Sequence, residues 1–242
     1  MTTTLTITET DTLADVVTRH PSLARQLEAL GLDYCCGGNR TLADAVTELE
    51  LDLVEVIGDL NSDSEVEDVP WSVMGATDLV DHIEATHHRF LWDELPRLSA
   101  LLDKIVSVHG VRHPELFDVR ESFETLRGEL EPHLRSEEQL VFPMVRGLDA
   151  AARDGSTGVS LTPSDPISEL LTEHDAAGDL LVTMRERADG YRLPADACAT
   201  YQATYDGLTE LEADIHLHVH KENNLLFPEV DRLEQRVGTT TG

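Results

Sequence analysis

The 242-residue chain carries a formal net charge of −29, from 47 Asp and Glu residues against 18 Lys and Arg residues. So acidic a surface repels phosphate groups, which excludes nucleic acid and anionic membrane as partners. It suits solubility in concentrated salt, so we expect a halophilic source. Disorder is excluded because 40% of the residues are hydrophobic and recur periodically. Without an N-terminal apolar segment or a bilayer-length apolar run, the protein is expected to be soluble and cytoplasmic.

Residues 1–60 predict a small domain of four short helices. Thr12 and Thr41 are suited to cap the first and third helices, and Gly31 to end the second. The turn Leu-Asp-Tyr-Cys-Cys-Gly-Gly-Asn follows the second helix at residues 32–39. Residues 61–72 are acidic and poor in apolar side chains, which predicts a linker.

Four long segments with helical periodicity follow, at residues 77–108, 114–148, 166–189 and 194–237. Thr77 is expected to cap the first of them, and Pro194 to lie in the first turn of the last. A Gly-, Ser-, Thr- and Pro-rich loop at 151–165 joins the two helical hairpins. No run alternates long enough to predict a sheet. The chain is therefore predicted to be all-α, with a four-helix bundle over residues 73–242.

One phrase occurs twice in the bundle, 85 residues apart. His133 and Glu137 lie in HLRSEEQLVFP, and His218 and Glu222 lie in HVHKENNLLFP. In both copies His and Glu are four residues apart, which places them on one helix face, and an apolar run follows. An imidazole beside a carboxylate on a buried face packs poorly but binds metal well.

Each hairpin also carries a His on its first helix, 45 or 44 residues before the repeated His. The predicted metal ligands are His88, His133, Glu137, His174, His218 and Glu222. This set is too large for one tetrahedral zinc ion. It suits two iron or manganese ions bridged by both carboxylates, with an oxo or hydroxo bridge and about two open positions. Dioxygen, peroxide or nitric oxide are the small ligands expected there.

Some assignments stay open at this point. A buried His is often only a core residue, and a single His/Glu pair is often a surface pair; the matched repeat favours metal binding. His87 or His82 are alternatives to His88. Candidates to hydrogen-bond the ligand imidazoles, against simple surface solvation, are Glu84, Glu173 and Asp175.

The sequence predicts that Cys35 and Cys36 lie in a different environment from Cys198. Cys35 and Cys36 lie among glycines, where accessible thiols can bind a soft metal or exchange with another thiol. Small apolar fillers at a tight turn are the competing interpretation. We therefore predict Cys35 and Cys36 as cofactor-binding residues. Cys198 is expected to lie in the core.

Taken together, the turn LDYCCGGNRTL and the motifs HLRSEEQLVFP, EHDAAGDLL and HVHKENNLLFP resemble the iron–sulfur cluster repair di-iron proteins, the "repair of iron centres" family. The resemblance spans nearly the whole chain and implies a hemerythrin-like bundle with two non-haem irons on the six ligands. One departure is Thr-His87-His88-Arg, where the family has a Tyr-His frame. The implied function is repair of iron–sulfur clusters damaged by oxidative or nitrosative stress, by donating iron to the damaged proteins.

Two other functions fit the same bundle. One is a hemerythrin that binds or senses oxygen or nitric oxide, and the other is an enzyme that reduces nitric oxide or peroxide. The sequence leaves a homodimer open and does not decide whether the protein is an enzyme.

Overall fold

The computed structural model describes residues 6–63, 70–158 and 161–238. Within these ranges the protein is all-α, as predicted, and its only β pairing is a single bridge between Thr12 and Thr41. The α-helices, in chain order, are α1 Leu13–Arg19, α2 Ala24–Ala29, α3 Leu42–Glu48, α4 Leu53–Asp63, α5 Ala76–Ile83, α6 Arg89–His109, α7 Glu115–Ser136, α8 Phe142–Arg153, α9 Ser164–Arg187, α10 Ala199–Lys221 and α11 Phe227–Val237.

Helices α1 to α4 form the N-terminal domain, and its predicted caps are confirmed. The Thr12 hydroxyl accepts a hydrogen bond from the Asp15 amide and the Thr41 hydroxyl accepts one from the Asp44 amide. Gly31 ends α2 with φ +74°, a conformation that favours glycine. Helix α4 continues to Asp63, and residues 64–69 of the predicted linker lie outside the described residues.

The bundle consists of four rods: α5 with α6, α7 with α8, α9, and α10 with α11. Helix α7 packs between α6 and α9, and α10 packs on α6. The predicted helix starts were wrong at two places. Gly75, not Thr77, is the N-cap of α5, because the Thr77 hydroxyl donates to Asp149 instead. Pro194 precedes the last rod, which begins at Ala199 with Cys198 at the N-cap.

Two apolar cores divide the bundle along its length. One joins the N-terminal domain to α6, α7, α9 and α10, and the other lies among α5, α8, α11 and the start of α9. The predicted metal ligands fall at the boundary on every rod. On α9, for example, His174 lies between Leu170 of one core and Ala177 of the other. Packing thus places one polar layer across the middle of the molecule.

The N-terminal domain docks on α10 and the turn after it. The Thr18 hydroxyl contacts His220 Nε2 at 3.1 Å, and Glu28 contacts His216 Nδ1 at 3.2 Å. The Asn224 amide donates to the Cys35 carbonyl at 3.0 Å. The Cys-Cys turn is therefore held against the rod that carries His218 and Glu222. Among the described helices, none is both long and apolar enough to cross a membrane.

Candidate metal centre

Three of the four rods change their winding at the ligand layer. Single π-helical turns cover Glu84–His88, Glu137–Val141 and Glu222–Leu226. A π turn adds a residue to the helix and occurs often at functional sites. His88 ends the first turn, and Glu137 and Glu222 begin the other two. The side chains of His88, Glu137 and Glu222 are buried at these turns.

The six predicted ligands converge in the bundle interior, all of them buried. Their donor atoms form two groups in which every atom lies within 4.8 Å of the others. The first group is His88, Glu137, His218 and Glu222, and the second is His133, Glu137, His174 and Glu222. Each group has two imidazoles of its own and shares both carboxylates with the other.

The carboxylate oxygens divide between the two groups. Glu137 Oε2 lies 3.4 Å from His88 Nε2, and Glu137 Oε1 lies 3.3 Å from His133 Nε2. Likewise, Glu222 Oε1 lies 3.1 Å from His218 Nε2 and Oε2 lies 3.2 Å from His174 Nε2. Each carboxylate therefore presents one oxygen to each pair of imidazoles, which is the arrangement of a bridging ligand.

Most polar atoms at the centre lack a well-aligned hydrogen bond, although His133 Nε2 and His174 Nε2 contact each other at 3.2 Å. Both oxygens of Glu137 and of Glu222 are buried and accept no well-aligned hydrogen bond, and His88 Nε2 and His218 Nε2 are buried without a well-aligned partner. An unpaired buried carboxylate is strongly destabilising, because its charge has lost its hydration. Cations at the centre would satisfy these atoms. The buried His and Glu groups therefore fit a metal site.

Protons take part of this role when no metal is bound. Burial lowers the pKa of His133, but Glu137 outweighs it and raises that pKa to about 10. Burial alone would raise the pKa of Glu222, yet His218 and His174 hold it well below its usual range. The layer is thus built for two carboxylates with compensating positive charge. A metal ion that binds His133 Nε2 must displace a proton.

The outer nitrogens of three predicted ligands are held by specific acceptors. His133 Nδ1 lies 2.6 Å from Glu173, His88 Nδ1 3.0 Å from Glu138, and His174 Nδ1 2.8 Å from the Asn223 side-chain oxygen. An Nδ1–H donated outward leaves Nε2 free to bind metal and fixes the ring. Glu138 also accepts from the Trp92 indole at 2.8 Å.

Of the three residues predicted to hydrogen-bond the ligand imidazoles, only one does so. Glu173 contacts a ligand, whereas Glu84 pairs with Arg146 and Asp175 lines a surface cleft. Sequence reasoning missed Glu138 and Asn223 in this role. Both occupy the same position in the repeat, directly after the ligand Glu, which is the signal that could have identified them.

The two alternatives to His88 point elsewhere. His87 Nδ1 lies 2.8 Å from Asp214, and its Nε2 lies 2.6 Å from the Lys221 ammonium nitrogen. His82 Nε2 contacts the same nitrogen at 3.0 Å. Burial lowers the pKa of Lys221 to about 7. His87 and His82 thus belong to a separate buried cluster beside the ligand layer, and Lys221 is a further residue that the sequence did not indicate.

The three cysteines occupy different sites and are all free thiols. Cys35 is buried and Cys36 half-buried, both in the turn against α10. The expectation that Cys198 is a core residue was wrong, because the helix begins after it and leaves it exposed at the N-cap. His109 Nε2 contacts its sulfur at 3.2 Å. This hydrogen bond, with backbone amides of α10, lowers the pKa of Cys198 to about 7.

Comparison with known proteins agrees with this architecture. Residues 78–230 match the hemerythrin HHE cation binding domain, and residues 9–64 match ScdA_N, a domain of unknown function. The chain is 30% identical to the iron–sulfur cluster repair protein ScdA of Staphylococcus haemolyticus, over 91% of this chain and 98% of the relative.

Two further relatives are similar over nearly their full length. One is the iron–sulfur cluster repair protein YtfE of an Enterobacter species, 32% identical over 89% of this chain and 94% of the relative. The other is a probable iron–sulfur cluster repair protein of Haemophilus influenzae, 32% identical over 90% of this chain and 95% of the relative. The chain therefore belongs to the iron–sulfur cluster repair family, with a hemerythrin HHE domain behind a ScdA-type N-terminal domain.

Proposed function

We propose that this protein repairs damaged iron–sulfur clusters in the cytoplasm by donating iron from a two-iron site. The observation that carries the proposal is the pair of His₂ groups sharing both carboxylates. The residues that would hold the irons are His88, His133, Glu137, His174, His218 and Glu222. Four imidazole nitrogens and four carboxylate oxygens supply about eight of the roughly twelve positions that two six-coordinate ions need. An oxo or hydroxo bridge would supply two more.

Imidazole and carboxylate donors suit iron, and manganese takes the same set. Iron in this site is both held and given away, so the protein must keep a stable fold when emptied. The two apolar cores on either side of the ligand layer supply that stability without metal. Protons on His133 and His88, whose pKa values the carboxylates raise, would balance the carboxylates after the irons leave.

Iron transfer to a damaged cluster protein tests this function directly. Iron-loaded protein is mixed, without air, with a purified cluster enzyme inactivated by peroxide or nitric oxide. We expect enzyme activity to return as iron leaves the bundle, and a Glu137→Ala variant to restore nothing. Equal recovery with an equimolar amount of free Fe²⁺ would contradict the proposal.

A cavity beside the ligands favours a second candidate function, the binding of a small diatomic molecule. It has a volume of about 20 Å³, close to that of one water molecule. Its polar lining comprises three imidazoles and two carboxylates, and its apolar lining includes Leu130 and Ile215; the polar residues are Glu129, His133, Glu173, His174 and His218. Reversible uptake of oxygen or nitric oxide with no loss of iron would favour a sensor. Repeated turnover with a supplied reductant would favour a reductase.

A further inference from the structure

A cleft of about 620 Å³ lies between the N-terminal domain and the bundle. The Cys-Cys turn forms one wall, and α9 and α10 form the other. The charged side chains of the lining are mostly acidic, and the exceptions are Arg185, which pairs with Glu212, and the titratable His216. The acidic lining residues are Glu28, Asp33, Asp175, Asp179, Glu186 and Glu212. An excess of negative charge in a cleft concentrates cations there.

Two thiols and one carboxylate are gathered on the wall of this cleft. Asp33 Oδ1 accepts from the Cys35 and Cys36 amides, each at 3.0 Å, and lies 3.1 Å from the Cys35 sulfur. The two sulfurs are 3.9 Å apart. One donor atom from each of the three residues lies within 4.8 Å of the others. The turn thus holds two sulfurs and an oxygen at the spacing that one metal ion requires.

One side chain connects this turn to the ligand layer. The Asn223 side-chain oxygen accepts from His174 Nδ1 at 2.8 Å, while its amide nitrogen reaches the Cys35 carbonyl at 3.4 Å. Asn224 donates to the same carbonyl. The backbone that carries the thiols is therefore anchored to the turn that also carries Glu222, next to the imidazole of His174.

On the basis of the proposed function, we propose that Asp33, Cys35 and Cys36 form a transit site for Fe²⁺ leaving the bundle. Binding replaces the two S–H bonds by two Fe–S bonds and releases two protons to solvent, without electron transfer. Thiolate and carboxylate donors bind Fe²⁺, but protons compete for the thiolates. Hydrogen bonding to Cys36 and burial raise the pKa of Cys35, so that this competition is strong. A site of this kind holds iron weakly enough to release it to an acceptor.

Binding is tested with Co²⁺ added to protein whose two-iron site is already filled, without air. Coordination by sulfur gives a thiolate-to-cobalt charge-transfer absorption. We expect about one extra Co²⁺ per chain with this absorption. The double variant Cys35→Ala/Cys36→Ala should lose it, and Asp33→Asn should bind roughly tenfold more weakly. The Cys198→Ala variant serves as control and should keep it. No sulfur-to-cobalt band in the wild type, or loss of the band in the control, would overturn the site.

The passage of Fe²⁺ through the cleft is tested by a substitution that fills the cleft and leaves both thiols in place. Gly178 lines the cleft, and a Cβ added there meets nothing within 4 Å. Gly178→Leu therefore extends into the cleft, and it also removes a helix-weakening glycine. Gly128→Leu is the matched control, because Gly128 lies in α7 with the same open space and outside the cleft lining.

At equal iron content, we expect Gly178→Leu and the double cysteine variant to transfer iron to an apo-protein acceptor several-fold more slowly, and Gly128→Leu to match wild type. Unchanged rates in both cleft variants would refute transit and leave iron donation intact. A wild type that holds two irons and donates none would refute the proposed function and transit together, while Co²⁺ binding would still report on the thiol site.

Discussion

The substitution Asn223→Ala removes a side chain that contacts both His174 of the metal centre and the Cys-Cys turn. In the wild type the Asn223 oxygen accepts the His174 Nδ1–H at 2.8 Å, and its amide nitrogen lies 3.4 Å from the Cys35 carbonyl. The substitution leaves the buried His174 N–H without an acceptor. The Cys35 carbonyl still accepts from Asn224. The damage should therefore fall on the metal ligand more than on the turn.

The expected loss of metal affinity follows from the missing acceptor of the His174 N–H. An unsatisfied buried donor costs about 1–3 kcal/mol. Loss of the acceptor that orients a ligand His weakens metal binding by about 10- to 100-fold, equivalent to about 1.4–2.7 kcal/mol. We expect Asn223→Ala to weaken retention of the second-group metal ion by this factor. Asn223→Asp keeps the acceptor oxygen and should retain the ion.

Asn224→Ala is the matched control, because it removes the stronger contact to the Cys35 carbonyl and leaves His174 untouched. Metal affinity is measured by competition with a chelator of known affinity, without air, on all three variants. Equal affinities for Asn223→Ala and Asn224→Ala would refute the assignment of Asn223 as the residue that orients His174. Loss in Asn223→Asp comparable to that in Asn223→Ala would refute it as well.

Two further predictions concern the turn and the exposed thiol. A Cβ at Gly38 would lie 2.5 Å from the Tyr34 carbonyl oxygen, so Gly38→Ala should lower the free energy of unfolding by about 1–3 kcal/mol in denaturant titrations. Gly37→Ala meets its nearest atom at 3.1 Å and should cost less; the opposite order would contradict the packing. Because the pKa of Cys198 is lowered to about 7, its alkylation by iodoacetamide should increase with pH around a midpoint near 7. His109→Ala should move that midpoint upward, and an unchanged midpoint would refute the Cys198–His109 pair.

The repeat predicted the candidate ligand set because it imposes the same spacing twice. His133 with Glu137, and His218 with Glu222, are local pairs that any helical reading brings to one face. His174 was recognisable from its matching distance to the second pair. These are properties of spacing, and spacing is visible in a linear sequence.

Other features depend on contacts between rods and could not be derived in this way. The π turn that ends at His88 changes the rotation of the helix, and apolar periodicity does not reveal a single extra residue. Lys221 meets His87 and His82 only after two rods have packed. Cys198 was misplaced because Pro194 suggested an early helix start, whereas the helix begins after the thiol. The connection from His174 through Asn223 to Cys35 spans two domains, so it appears only when they dock.

Iron content per chain tests the central claim most directly. The protein is purified without air, alongside His88→Ala, which removes a ligand of one group, and Glu137→Ala, which removes a ligand of both. We expect about two irons in the wild type, about one in His88→Ala, and fewer still in Glu137→Ala. A metal-free wild type, or a single zinc ion unaffected by either substitution, would contradict the two-iron centre and the repair function that depends on it.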